Sequence, residues 1–283
     1  MFGFINVYKP KGKTSHDVVA VLRRVTKIKQ IGHTGTLDPF AEGVLPICIG
    51  KATRLIEYLN DDKAYVATIQ FGKSTTTYDL EGEGVNFSDS RVGLAEIEKY
   101  LENFRGEIEQ LPPIYSAIKV NGKKLYEYAR KGEDVEIKPR KVTINELKVV
   151  SFNEETQQLE LYIDCSKGTY IRSIANDLGE MAGVYGHLIK LVRVKAGNFL
   201  VENSIALEEF QTKEIVCDNL IYPLEYLDYP KYELSENEKV KVANGNSILL
   251  NCEDGLTLLT YAKTLAAVAE ISHGKAIMQK VFL

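Results

Sequence analysis

The run Gly32 to Gly43, GHTGTLDPFAEG, sets a carboxylate, Asp38, among three glycines, a proline and two threonines. That much turn chemistry excludes a helix or strand interior and describes a shaped loop. Such a loop can aim one side chain. An isolated carboxylate acts as a nucleophile or an acid–base group when a cation holds it ionised and a cavity excludes water. On the residues alone, an Asp-Pro is more often a turn residue whose side chain caps its own backbone.

Other chemistries find no footing. Cys48, Cys165, Cys217 and Cys252 are scattered, as are His16, His33, His187 and His273, so no metal site or disulfide framework is expected and a reducing cytoplasmic compartment is the default. Gly50-Lys51-Ala52 hints at a phosphate loop, but Leu45 stands where its first glycine belongs and Ala52 replaces the hydroxyl that holds magnesium. A Rossmann fingerprint, a serine-hydrolase elbow and a paired-histidine zinc motif are missing.

The elements around the loop read as α+β. Phe4 to Tyr8 is a short strand, and Thr14-Ser-His-Asp17 is a capping box before a helix with Val18, Val19, Leu22 and Val25 on one face. The apolar run Val44 to Ile49 anchors the far end of the loop. Lys51 to Leu59 is read as helical, Tyr65 to Phe71 as a strand, and GKSTTTYDLEGEG as a polar loop. Leu94 to Phe104 has helical spacing, Val142 to Phe152 and Leu159 to Cys165 form a strand pair, SKGTYIRS opens a helix, and Leu188 to Val194 is a further strand. After Tyr229 the texture becomes short strands split by Asn-Gly and Asp-Gly, a small β-rich module reached through a linker at Tyr222 to Tyr229.

Apolar residues make up 45% of the 283, enough for a real core, and no apolar run approaches the roughly 18 residues that span a bilayer. Neither export nor membrane insertion is expected. The formal net charge of -4 hides segregation. One basic cluster runs from Lys9 to Lys29. A second, Lys119 to Lys141, is interleaved with Tyr126 and Tyr128 and begins at the turn signal Asn121-Gly122, as an arm around a polyanion would.

GHTGTLDPFAEGVLPICIGKATRL closely resembles the motif around the catalytic aspartate of the TruB family of tRNA pseudouridine synthases. FINVYKPKGKTSHDVV resembles that family's N-terminal motif, PPIYSAIKVNGKKLYEYARKG a third, and CSKGTYIRSIANDLG the one supplying a basic partner. The four run in order over roughly Phe4 to Arg193. The resemblance implies Asp38 as the catalytic carboxylate, Arg172 as its pair, and Tyr65 as the residue that stacks on the uracil and serves as general base. It further implies Tyr170 and Leu191 as pocket walls and His33 as the residue that packs where the target base has left. Lys9 and Lys124, from the two basic clusters, complete the expected substrate contacts. A guanidinium beside Asp38 would lower its pKa and keep it ionised.

The implied fold is a mixed, mainly antiparallel sheet in a catalytic domain over 1–228, with an RNA-clasping arm at about 111–141 and a PUA-like domain over 229–283. The implied reaction is isomerisation of the T-loop uridine at tRNA position 55 by base flipping, with neither cofactor nor metal. The expected partner is the tRNA T arm, with no membrane, no obligatory protein partner and a monomeric state. Two rivals stand beside it. An RNA-binding protein or folding chaperone needs no ionised carboxylate facing a polyanion, and a carboxylate glycosidase needs a second acid opposite Asp38.

Overall fold

A computed structural model describes residues 1–283. Strand β1 (Gly3–Lys9) leads into helix α1 (Ser15–Thr26), which starts on the expected box: Thr14 Oγ1 accepts from Asp17 N, and the Asp17 carboxylate accepts from Thr14 N at 2.8 Å. β2 (Ile31–His33) and β3 (Glu42–Ile49) flank the Asp38 loop. β4 (Lys63–Phe71) follows a 3-10 helix, Gly50–Tyr58, where helical structure is expected. The stretch read as a polar loop folds into a hairpin, β5 (Lys73–Thr75) and β6 (Gly84–Phe87).

Helix α2 (Leu94–Leu101) precedes β7 (Gly106–Gln110). The arm is a hairpin of β8 (Lys119–Val120) and β9 (Lys123–Lys124) running into α3 (Leu125–Lys131). Asn121 and Gly122 both take positive φ, 51° and 83°, as a two-residue hairpin of the I′ kind requires. β10 (Arg140–Asn153) and β11 (Gln158–Cys165) pair as expected, and α4 (Ile171–Met181) and β12 (Gly186–Ala196) follow.

Short β13 (Phe199–Leu200), β14 (Ile205–Ala206) and α5 (Lys213–Asp218) close the first unit. Its sheet runs β14-β1-β3-β12-β4-β11-β10-β7, with β2 beside β3 and β13 beside β12. Only β1 with β14 and β12 with β3 pair in parallel there, so the sheet is mixed and mainly antiparallel. Leu159, Leu161 and Ile163 of β11, Ala67 and Ile69 of β4, and Ile174 and Leu178 of α4 are fully buried in its largest core.

The C-terminal unit holds β15 (Lys231–Glu233), α6 (Glu236–Ala243), β16 (Ile248–Leu249), β17 (Gly255–Tyr261), β18 (Thr264–Ser272) and β19 (Lys275–Val281). It is the β-rich, PUA-like domain expected, with one correction. α6 was read as strand, yet Ser235 and Glu238 form a reciprocal capping box, and Asn244-Gly245 ends the helix rather than turning a hairpin. The two units share a core in which Leu258, Leu265 and Val268 pack with Phe4, Leu55 and Phe199. No helix is long and apolar enough to cross a membrane.

Candidate active site

The Asp38 loop is held by its backbone. Arg193 of β12 is fully buried, and its guanidinium donates to Val44 O at 2.7 Å, Gly35 O at 3.1 Å and Thr36 O at 3.3 Å. Leu37 N donates to Ser15 Oγ at 2.8 Å, and Gly12 N donates to Pro39 O at 2.8 Å. Carbonyls that a short loop would leave orphaned are thus satisfied on both sides of Asp38. Gly43 closes the loop with φ +108°, and a Cβ there would lie 2.3 Å from Arg193 O, so only glycine lets the two strands meet.

Lys9 belongs to the same scaffold. Its ammonium is buried and donates to Lys13 O at 2.6 Å, Pro10 O at 3.0 Å and Pro39 O at 3.3 Å, and burial lowers it to about 8. The expected phosphate contact is therefore corrected: the charge is spent on carbonyls beneath the loop.

The Asp38 side chain points to Arg172, Oδ2 to Nε 3.0 Å. Arg172 sits at the start of α4, where a helix dipole disfavours a cation, and two carboxylates offset that. Its Nη1 donates to Asp79 Oδ2 at 3.3 Å and Thr77 O at 3.1 Å, and its Nη2 to Tyr115 O at 2.9 Å. The helix start is fixed in turn by Gln110, whose amide accepts from Tyr170 N at 2.7 Å and donates to Tyr170 O at 2.9 Å.

Asp38 nonetheless lies above the ordinary carboxylate range. Burial pushes it up and Asp79 adds to the rise, while Arg172, Lys9 and Arg193 oppose it. The lowering expected from Arg172 is real but is outweighed by desolvation.

These groups line a cavity of about 610 Å³, the size of a nucleotide site. Tyr65 on β4, Tyr170 at the start of α4 and Leu191 on β12 are among its walls, as expected. Burial pushes the Tyr65 phenol up, so it stands protonated at neutral pH. His33 on β2 is not a wall; its Nδ1 is buried without a partner, and burial lowers its pKa. Lys124 reaches the cavity only through Tyr126, donating to its hydroxyl at 3.3 Å beside Arg130, which lies 5.4 Å over the same ring.

Asp79, Ser116, Gln110 and Arg193 escaped the sequence reading as site residues. Asp79 closes the run Ser74-Thr-Thr-Thr-Tyr-Asp79, whose hydroxyls cap it: Thr77 Oγ1 donates to Oδ1 at 2.5 Å. Arg193 was visible only as a charge inside a strand with apolar neighbours. Asp79 is buried and committed to the guanidinium that holds Asp38, so it is not an acid facing Asp38 across the cavity, as a glycosidase would need.

The sheet order and the appended β-rich unit are those of the pseudouridine synthase fold. Over its whole length the chain superimposes on a chain of an H/ACA RNP bound to a substrate RNA containing 2′-deoxyuridine, with TM-score 0.72, 23% identity and 85% of that chain covered. A chain of a Cbf5–Nop10–Gar1 complex gives TM-score 0.72 and 25% identity, covering 100% of this chain and 85% of that one.

Residues 23–171 match the TruB family pseudouridylate synthase N-terminal domain, and residues 172–227 the tRNA pseudouridylate synthase B C-terminal domain. The tRNA pseudouridine synthase B of Staphylococcus aureus strain JH9 is 44% identical over 263 residues, 88% of this chain and 86% of that one. The chain belongs to the TruB family and is an isomerase of that family.

Proposed function

We propose that this enzyme converts uridine to pseudouridine at position 55 in the T loop of tRNA, with Asp38 as the catalytic carboxylate. The observation that carries this reading is the 3.0 Å Asp38–Arg172 pair on a cavity walled by Tyr65 and Leu191. Kinship with relatives called tRNA pseudouridine synthase B supports the substrate.

The uridine is flipped out of its loop at a cost of about a few kcal/mol, which Tyr65 offsets by stacking on the extruded base. The N1–C1′ bond breaks, the uracil turns, and C5 bonds to C1′; C5 gives up a proton and N1 takes one up. The product is an isomer, and the balance calls on no oxidant or reductant. Asp38 stabilises or captures the electron-poor centre that bond breaking creates. Arg172 orients that carboxylate, Tyr170 and Leu191 wall the base, His33 fills the place it leaves in the RNA, and Lys124 meets phosphate on the arm.

Residues 1–228 act as the catalytic unit and 229–283 as the PUA-like one. The chain works as a monomer in the cytoplasm on the tRNA T arm, without an obligatory protein partner.

The test is tritium release from a T-arm stem-loop labelled at uracil C5. Wild type releases label, and Asp38→Asn releases none while its RNA affinity stays within about tenfold, because one carboxylate contributes little to backbone binding. Tight binding by wild type without release would favour the chaperone reading instead.

A further inference from the structure

Among buried polar groups outside the Arg172 network, Ser116 is anomalous. It is 5% exposed, it lines the cavity, and its Oγ has no hydrogen-bond partner. Burial raises the Tyr170 phenol and Ser116 eases it down, so this phenol is its polar neighbour, and Tyr170 stands on the same cavity wall. Native interiors rarely leave a hydroxyl unpaired, and one left so at a functional cavity marks a ligand contact.

The position of this hydroxyl is fixed by its backbone. Ser116 N donates to Ile114 O at 3.0 Å, and Ser116 O accepts from Tyr126 N at 3.1 Å. The preceding carbonyl, Tyr115 O, accepts from Arg172 at 2.9 Å. Ser116 therefore stands at the root of the arm, one residue from the carbonyl that Arg172 holds.

Tyr65 and Leu191 line the same cavity and supply it with apolar and aromatic surface. The edge of a uracil is different in kind, alternating carbonyl oxygens with an imide N–H. A serine hydroxyl both donates and accepts, and can meet either.

We propose that Ser116 Oγ hydrogen-bonds the polar edge of the extruded uracil, so that the root of the arm reads the base itself. This rests on the uridine-isomerising reading above and adds a recognition residue to it. It also ties recognition to chemistry, because the segment that touches the base hangs on Arg172.

The test uses Ser116→Ala in the full chain with the C5-labelled T-arm stem-loop. The substitution removes at most the contact with Tyr170, so the melting temperature changes little, while kcat/KM falls about tenfold, as for one lost hydrogen bond. Unchanged kcat/KM overturns the proposal, as does a loss of activity that merely tracks a loss of melting temperature. Affinity is then compared for stem-loops carrying uridine or 2′-deoxyuridine at the target. A loss shared by both assigns the contact to the base; a loss confined to uridine assigns it to the 2′-hydroxyl and overturns the proposal. Failure of wild type to release label overturns the reading beneath, and this inference with it.

Discussion

Arg172 donates from Nη2 to the main-chain carbonyl of Tyr115 at 2.9 Å, so the root of the 111–141 arm hangs on the guanidinium that holds Asp38. One guanidinium thus holds both the arm root and the Asp38 carboxylate. A planar fork makes this possible, since it reaches Asp38, Asp79, Thr77 and Tyr115 together.

Arg172→Lys keeps the charge and loses the fork. Single-turnover tritium release is expected to fall by about a hundredfold or more, and residues 111–141 to be cut faster in limited proteolysis. Wild-type turnover in this variant would detach Arg172 from the chemistry.

On the proposed reading, the acid limb of activity is expected to report Asp38. The carboxylate works as an anion, so activity is present above its folded pKa and is lost as pH falls through it. Burial raises that pKa above the ordinary 3.8, and the limb of kcat/KM is expected above it. Asp79→Asn removes a negative neighbour that contributes to the rise, so the limb moves to lower pH. A shift in the opposite direction would show that another group titrates.

Much of this site was legible beforehand, and the misses have physical causes. Asp38, Tyr170 and Arg172 stand in ordered motifs, Tyr65 and Leu191 came one by one from the family resemblance, and all five line the same cavity. The Thr14–Asp17 box and the Asn121-Gly122 turn are local signals and folded locally. Lys9 misled because a lysine in a basic cluster looks solvated; only the tertiary fold brings three carbonyls to its ammonium. Asp79 and Ser116 lie far from Asp38 in sequence and meet it through Arg172 and the cavity wall. Helix α6 was hidden by valines and an Asn-Gly pair, although Ser235 to Glu238 carried its start signal.

Arg193→Met tests the buried scaffold. The side chain has no carboxylate within ion-pair range, so its worth lies in three main-chain carbonyls that methionine would strand. A loss of about 3 kcal/mol or more is expected in denaturant unfolding, with Tm lower by roughly 10 °C. A stability within 0.5 kcal/mol of wild type, at about the noise of a surface change, would refute the scaffold role.

The arm's charges are available to phosphate. Lys123 and Lys131 lie 3.6 and 4.0 Å from Glu133, and all three side chains are exposed, so those pairs hold little energy. Reversing Lys123, Lys124 and Lys131 to glutamate is expected to weaken T-arm binding and to flatten the slope of log affinity against log salt by about 2 or more. An unchanged slope would take the arm out of the interface.

Arg193 grips Gly35 and Thr36 by their carbonyls, and no substitution at those two positions deletes a carbonyl. At Gly35 a new Cβ would meet the flexible end of Lys63 at 3.2 Å and Arg193 Nη1 at an ordinary 3.8 Å, whereas at Gly43 it would strike the main chain of Arg193. A saturation scan scored for activity should therefore ignore proximity: position 36, two residues from Asp38, tolerates exchange, while position 43 and the distant position 193 accept almost nothing. The tolerance map of this enzyme would trace which atoms are gripped, and alongside Asp38 itself its darkest columns would be positions 43 and 193.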